Sequence, residues 1–189
     1  MSQLCIAAMD GHLDRVRALL SQSGPASLGD SAVALVQAAA RGHYSIVEAL
    51  LAARVNPNWL GDRGTALHCA TLGNHGDVVR SLLQGGAAVD LRDHCSQGRG
   101  WTALMYAAAL GHMAIAHLLL QAGADANLRD RDGQTALTIA ANAGHTAMVL
   151  LLIEAGAESQ GLDHYGNKAL SYARNRQGSG DELVLDRLP

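Results

Sequence analysis

Phenylalanine is absent from the 189 residues and aromatics total 3%, so any core must be built from Ala, Leu, Val and Ile. Lysine occurs once, at Lys168, and no run of Arg replaces it; 14 basic against 17 acidic residues leave a formal charge of −3. That balance gives no basic stripe for a nucleic-acid backbone, so nucleic acid is not an expected partner. The three cysteines, Cys5, Cys69 and Cys95, are odd in number and form no CxxC pair, which speaks against a disulfide framework or a zinc knuckle and fits a reducing compartment. The longest strongly apolar run, Ala147 to Ile153, is far too short for a membrane span, and the first twenty residues lack the basic-then-apolar order of a secretory signal. A soluble intracellular protein is expected, cytoplasmic with the nucleus also compatible, without a membrane partner and monomeric. Hydrophobic residues at 49% and charged residues at 16% exclude a wholly disordered chain.

What is present is repetition. Gly-His recurs at Gly11-His12, Gly42-His43, Gly111-His112 and Gly144-His145, with Asn74-His75 as an altered copy, at intervals of 31, 32, 37 and 33 residues. A small pair precedes each, such as Ala38-Ala39 and Ala140-Ala141, and an apolar run ending in a Leu pair follows. Three copies open on Thr-Ala-Leu, at Thr65, Thr102 and Thr135. Thr before an apolar-periodic stretch is an N-cap signal. A helix is therefore expected over 102–110, stopped by Gly111 in the left-handed region, and a second over 113–121. Asn74 can hold the same left-handed slot. One such unit cannot cover its own apolar face, so units must stack.

The unit from Asp130, DRDGQTALTIAANAGHTAMVLLLIEAGAES, resembles an ankyrin repeat: an Asp-Gly turn, a Thr-x-Leu start, Ala-Ala, Gly-His, a Leu-rich helix and Gly-Ala. The unit from Trp101 to Asn127 matches as well. The resemblance implies an all-α ankyrin-repeat α-solenoid of about six helix-turn-helix repeats forming one domain over 1–189, with approximate repeats 1–26, 27–58, 59–91, 92–128, 129–161 and 162–189. The chain departs from the family pattern in places. Ala66, Ala103, Ala136 and Ala169 stand where the motif has Pro, only His68 keeps its His, Val33 occupies a Thr slot, and "DHCSQGRGW" lengthens one connector.

Chemistry finds little support. The repeated histidines are a whole repeat apart, which reads as a structural ladder and not a metal cluster. A zinc site from His68, Cys69, His94 and Cys95 is disfavoured because adjacent helical side chains diverge. No nucleophile elbow, Walker loop or HExxH is present, so neither catalysis, cofactor nor metal is expected. Cys69 and Tyr106 are read as core.

The family resemblance implies protein recognition on a concave surface made of connector tips and the exposed ends of first helices. Carried onto this sequence, the tips give Trp59, Leu60, Asp62 and Arg63, then Arg99 and Trp101, then Arg131, Asp132 and Gln134, then His164 and Tyr165; helix ends give Leu72, Leu110 and Asn142. Both tryptophans fall at tips, and Trp, Tyr and Arg are the types enriched in binding hot spots. Each Trp could instead pack on its own scaffold, Trp59 beneath the Pro57 connector. The leading expectation is a non-catalytic protein-binding module; a regulatory subunit covering an enzyme's cleft is the alternative, and an enzyme with an unfamiliar site the third.

Overall fold

In the computed structural model, which describes residues 2–22, 28–94, 99–165, 167–169 and 171, Thr65, Thr102 and Thr135 hold extended backbone just ahead of helices. The Thr102 and Thr135 side chains accept the N–H groups of Met105 and Thr138, as the N-cap reading requires. Among the described residues ten helices result: α1 (Gln3–Met9), α2 (Leu13–Gln22), α3 (Leu28–Ala40), α4 (Tyr44–Ala52), α5 (Ala66–Leu72), α6 (Gly76–Gln84), α7 (Ala103–Leu110), α8 (Met113–Gln121), α9 (Ala136–Ala143) and α10 (Thr146–Glu154). Among the described residues there is no strand, only an isolated bridge between Gly61 and Gly64. The protein is an all-helical solenoid. The sixth helix pair expected near residue 177 lies outside the described residues, as does most of the connector insertion at 95–98.

The odd-numbered helices form one row, α1 against α3, α5, α7 and α9 in turn, and the even-numbered helices line up outside them. The inner row approaches closely because its contact faces are alanine: Ala8, Ala38, Ala39, Ala70, Ala107, Ala108 and Ala140 have no exposed surface. Leu35, Leu67, Leu104 and Leu137 fill the inner layer, while Leu50, Leu82, Leu119 and Leu152 reach in from the outer helices, all within one continuous core. The aromatic deficit noted in the sequence is thus met by interleaving small and branched side chains at close range.

Repeats are also interlocked by the Gly-His pair. His43 donates from Nε2 to the Met9 carbonyl at 3.1 Å, and His145 to the Ala109 carbonyl at 3.1 Å. His112 bonds the Leu72 backbone in the same way. Each ring therefore reaches back to the inner helix of the preceding repeat, although its own residue caps the outer helix that follows. Gly111 (φ 70°) holds the left-handed conformation expected of it, Asn74 shares it at φ 57°, and Gly144 (φ 77°) and Gly42 (φ 73°) hold it as well. The glycine has a second duty: a Cβ on Gly42 would stand 2.6 Å from the His75 ring, and one on Gly111 3.0 Å from His145.

A parallel ladder runs along the other end of the repeats. Asn58 accepts from Ala88 N–H at 2.7 Å and donates to the Gly86 carbonyl at 3.2 Å; Asn127 does the same with Glu158 and Gly156 at 2.8 and 3.2 Å. At the equivalent place Asp90 accepts from Asp125 N–H but has no amide to donate. Burial, and then the Asp125 charge, push the Asp90 carboxyl up from its ordinary range, against the lowering effect of that N–H. With its folded pKa raised, this site opposes folding at neutral pH, and the opposition eases as pH falls through the folded value towards 3.8.

Two predictions follow from the ladders. Gly86 also has positive φ (88°), but a Cβ there would meet nothing within 4 Å. Gly86→Ala should therefore cost only the conformational strain of about 1–2 kcal/mol, and Gly42→Ala more, the excess vanishing in a His75→Ala background. Equal losses from the two glycines in urea melts would contradict the interlock. Asp90→Asn should raise stability by about 1 kcal/mol, since the new amide can reach the Gly123 carbonyl as Asn58 and Asn127 reach theirs; an unchanged or lowered melting temperature would count against it.

Candidate protein-binding surface

Between helix pairs the connectors fold into short hairpin fingers; the first is closed by the Gly61–Gly64 bridge, and the next three are each organised by a buried aspartate. Asp130 Oδ1 accepts the N–H groups of Asp132 and Gln134 at 2.9 and 2.8 Å, and Asp163 Oδ1 those of Tyr165 and Asn167 at 2.9 and 2.8 Å. Asp93 is 1% exposed; it accepts from Trp101 N–H at 2.8 Å and from the Tyr106 hydroxyl at 2.6 Å. A buried carboxylate is tolerable here because two N–H or O–H donors face it.

The fingers are then stitched to one another. Arg131 N–H donates to the Arg99 carbonyl at 2.8 Å, and His164 N–H to the Asp132 carbonyl at 2.9 Å. Arg92 donates to the Arg129 carbonyl, and Arg129 to the Gly133 and Leu162 carbonyls at 3.0 and 2.6 Å. The Trp101 indole N–H donates to Asp130 Oδ2 at 2.9 Å. Fingers held this way stand in fixed positions without a partner present.

His68 ties the third repeat into this frame. Thr65 N–H donates to its Nδ1 at 3.1 Å, so Nδ1 is an acceptor and Nε2 carries the proton that goes to the Trp101 carbonyl at 3.1 Å. A second proton has no place at Nδ1. Burial holds the His68 pKa below its ordinary 6.5, outweighing the Trp101 carbonyl, the Asp93 charge and the Leu91 backbone. The Tyr106 ring lies edge-on to both His68 and Trp101, with centroids 5.8 and 5.0 Å away.

These contacts sort the residues expected at the surface. Asp62, Arg63, Arg99, Arg131, His164 and Tyr165 are exposed on the fingers, with Leu60 beside them; Leu72, Leu110 and Asn142 are exposed on the inner helices. Arg99 pairs with Asp132 at 3.9 Å and lies over the Trp101 ring at 5.8 Å. Trp101 does not have the scaffold-free slot the sequence suggested: it is half-buried against the core, with its indole N–H held by Asp130. Gln134 is also withdrawn, at 8% exposure, because its N–H bends in to Asp130. Trp59 is half-buried, and its ring lies so close to Gly61 that a Cβ there would be 2.5 Å away.

A pocket of about 200 Å³ opens beside Trp59, between this finger and α3. Its α3 wall of Val33, Val36 and Gln37 was not foreseen. Val33 in the cap slot was the visible irregularity, and Val36 in the slot that holds His68 one repeat later is the companion signal.

A stack of short helix pairs with projecting hairpin fingers defines a helical-repeat protein. A family model for ankyrin repeats in three copies matches residues 35–130 and 114–185, and the chain belongs to the ankyrin-repeat family. It is 36% identical over 132 residues to the ankyrin repeat and KH domain-containing protein mask-1 of Caenorhabditis elegans, covering 70% of this chain and 5% of that one. It is 33% identical over 135 residues to the glycerophosphocholine phosphodiesterase gde1 of Schizosaccharomyces pombe, covering 69% and 12%. It is 40% identical over 102 residues to ankyrin repeat and SOCS box protein 11 of Danio rerio, covering 53% and 33%. The chain thus spans a third or less of each relative. Ankyrin repeats generally mediate protein–protein interaction and are typically non-catalytic, so the relevant property of the surface is what it can hold.

The His68 tautomer gives a pH prediction. Its folded pKa is lowered from 6.5, so its contribution is fully present above about pH 6.5 and is lost as pH falls below that value. The melting temperature should fall between pH 7 and 5.5, and His68→Gln should flatten that slope. An identical slope in the variant would show that His68 does not carry it.

Proposed function

We propose that the chain is a protein-binding module whose partner lies along the concave side formed by the finger tips and the exposed ends of the inner helices. The observation that carries this reading is a division of labour among the finger residues. Buried Asp93, Asp130 and Asp163, with Arg92 and Arg129, hold the backbone, while Asp62, Arg63, Arg99, Arg131, His164 and Tyr165 project from it. A surface set in advance loses little conformational freedom on binding. Tyr165, 69% exposed, and Leu110, 45% exposed, supply apolar contact area flanked by charges. Trp101 supports this side chiefly as a brace beneath Arg99. The partner is one or more proteins, and recognition proceeds without catalysis, cofactor or metal. Cys5 and Cys69, buried as thiols and not as a disulfide, fit an intracellular, reducing location such as the cytoplasm.

The test is a partner captured by the chain, measured against variants of both sides. Tyr165→Ala and Leu110→Ala should each weaken binding by about 2 kcal/mol, roughly thirtyfold, without lowering the melting temperature. Trp101→Ala should lower both affinity and melting temperature. Arg80→Ala and His117→Ala, on exposed positions of α6 and α8, should leave affinity unchanged. Loss of binding confined to the Arg80 and His117 variants would move the interface to the outer helices and overturn the reading.

A further inference from the structure

The pocket between α3 and the first finger has a structural origin. In the fifth repeat, residues 130–134 before the Thr135 cap form the finger. The corresponding residues 28–32, before Val33, are wound into α3 instead. The second repeat therefore has no finger in that register. In the next two repeats the inner helix touches its own finger at one repeated position: Cys69 Sγ approaches the Arg63 carbonyl at 3.8 Å, and the Tyr106 hydroxyl donates to Asp93 at 2.6 Å. The equivalent residue of α3 is Gln37, and it faces the pocket. The volume is enlarged because Val36 stands where the third repeat has the His68 ring.

The wall of the pocket shows how an occupant would attach. Arg131 and His164 use their N–H groups to bind the preceding finger. In the first finger Gly61 N–H closes onto the Gly64 carbonyl at 3.1 Å and Gly64 N–H returns to Gly61 at 3.0 Å, as Asp130 N–H closes onto the Gln134 carbonyl, so the residue that corresponds to Arg131 and His164 is Asp62. The side chains around the pocket supply an apolar floor of Val33, Val36 and the Trp59 ring, the Gln37 amide with a donor and an acceptor, and exposed Asp62 and Arg63. A volume of about 200 Å³ exceeds the roughly 150 Å³ that accepts a benzene-sized ring.

We propose that this notch receives a turn-shaped loop of the partner protein, which inserts one aromatic or large aliphatic side chain between Val33, Val36 and Trp59 while its peptide group pairs with the Gln37 amide. The loop takes the place of a finger in the register of residues 28–32, which are helical in the second repeat. The match is polypeptide because the position engages finger backbone or finger side chain in the neighbouring repeats, and the paired amide complements one N–H and one C=O. Asp62 and Arg63, of opposite sign, leave no net charge at the rim and suit an uncharged anchor residue. This inference rests on the concave-side reading and adds to it an anchor point and the chemistry of what fills it.

The probe is a phage-displayed library of short disulfide-closed loops selected against the full chain. Enriched loops should carry one Phe, Leu, Met or Trp, and titrating such a loop should shift the backbone amide resonances of Val33, Gln37, Gly61 and Asp62. Val33→Phe, which fills the notch, should weaken the loop at least tenfold, Gln37→Ala several-fold, and Arg80→Ala not at all. Should Val33→Phe fail to fold, Gln37→Ala and the resonance map carry the test. Failure to enrich any loop overturns the proposal. So do loops whose shifts fall around Leu110 and Tyr165, which would leave the concave-side reading standing. Concentration-dependent self-association lost in Val33→Phe would identify the occupant as a second copy and equally overturn it. Failure of the broader reading is separate: there binding would follow Arg80 and His117.

Discussion

Neighbouring repeats are joined by a histidine of the later one and, at three of the four joints, a glycine of the earlier one. The imidazoles of His43, His112 and His145 reach across the joint to a backbone group at the end of the previous inner helix. At Gly11, Gly42 and Gly111 the missing Cβ leaves room for the rings of His43, His75 and His145, whereas His112 makes its contact past Asn74, which keeps the left-handed backbone with a Cβ. The same left-handed turn sends the chain into the outer helix, so one residue sets both the local geometry and the inter-repeat spacing. In a stack where each unit touches only its neighbours, stability is a sum over such joints. The finger frame is downstream of this spacing: the Arg99–Arg131 and Asp132–His164 main-chain bonds require successive fingers to lie within hydrogen-bond reach.

Much of this was legible in the residues. Gly-His spacing, the Thr caps and the alanine pairs gave the helices, their order and the left-handed slots, including Asn74, because each feature acts through nearby backbone. Arg54 was not legible: it holds φ 60° at the slot where Gly86, Gly123 and Gly156 sit, and nothing in its side chain advertises that conformation. The second repeat was harder for a related reason. Val33 in place of Thr signalled a weakened cap, but that residues 28–32 would become helix depends on what the stack leaves for them to pack against.

The surface was legible only by analogy of position. The exposed tips fall where the family resemblance puts them, yet Trp101 and Gln134 turn inward through bonds to Asp130, a partner 29 residues away from Trp101. Residue type could not reveal this, since Trp serves equally as a binding anchor and as an amphipathic brace with a donor to satisfy. The pocket at Trp59 arises where residues 28–32 are helical and Val36 replaces an imidazole, and both are visible only against the register of the other repeats.

The central claim is that a rigid finger frame presents one side of the solenoid to a partner protein. Hydrogen–deuterium exchange of the chain, free and with a captured partner, tests it most directly. The account predicts slower exchange on binding in the fingers at 59–64, 99–101 and 130–134 and at the ends of α5 and α7, with α4, α6, α8 and α10 unchanged. Protection gained along those outer helices, with none in the fingers, would contradict it.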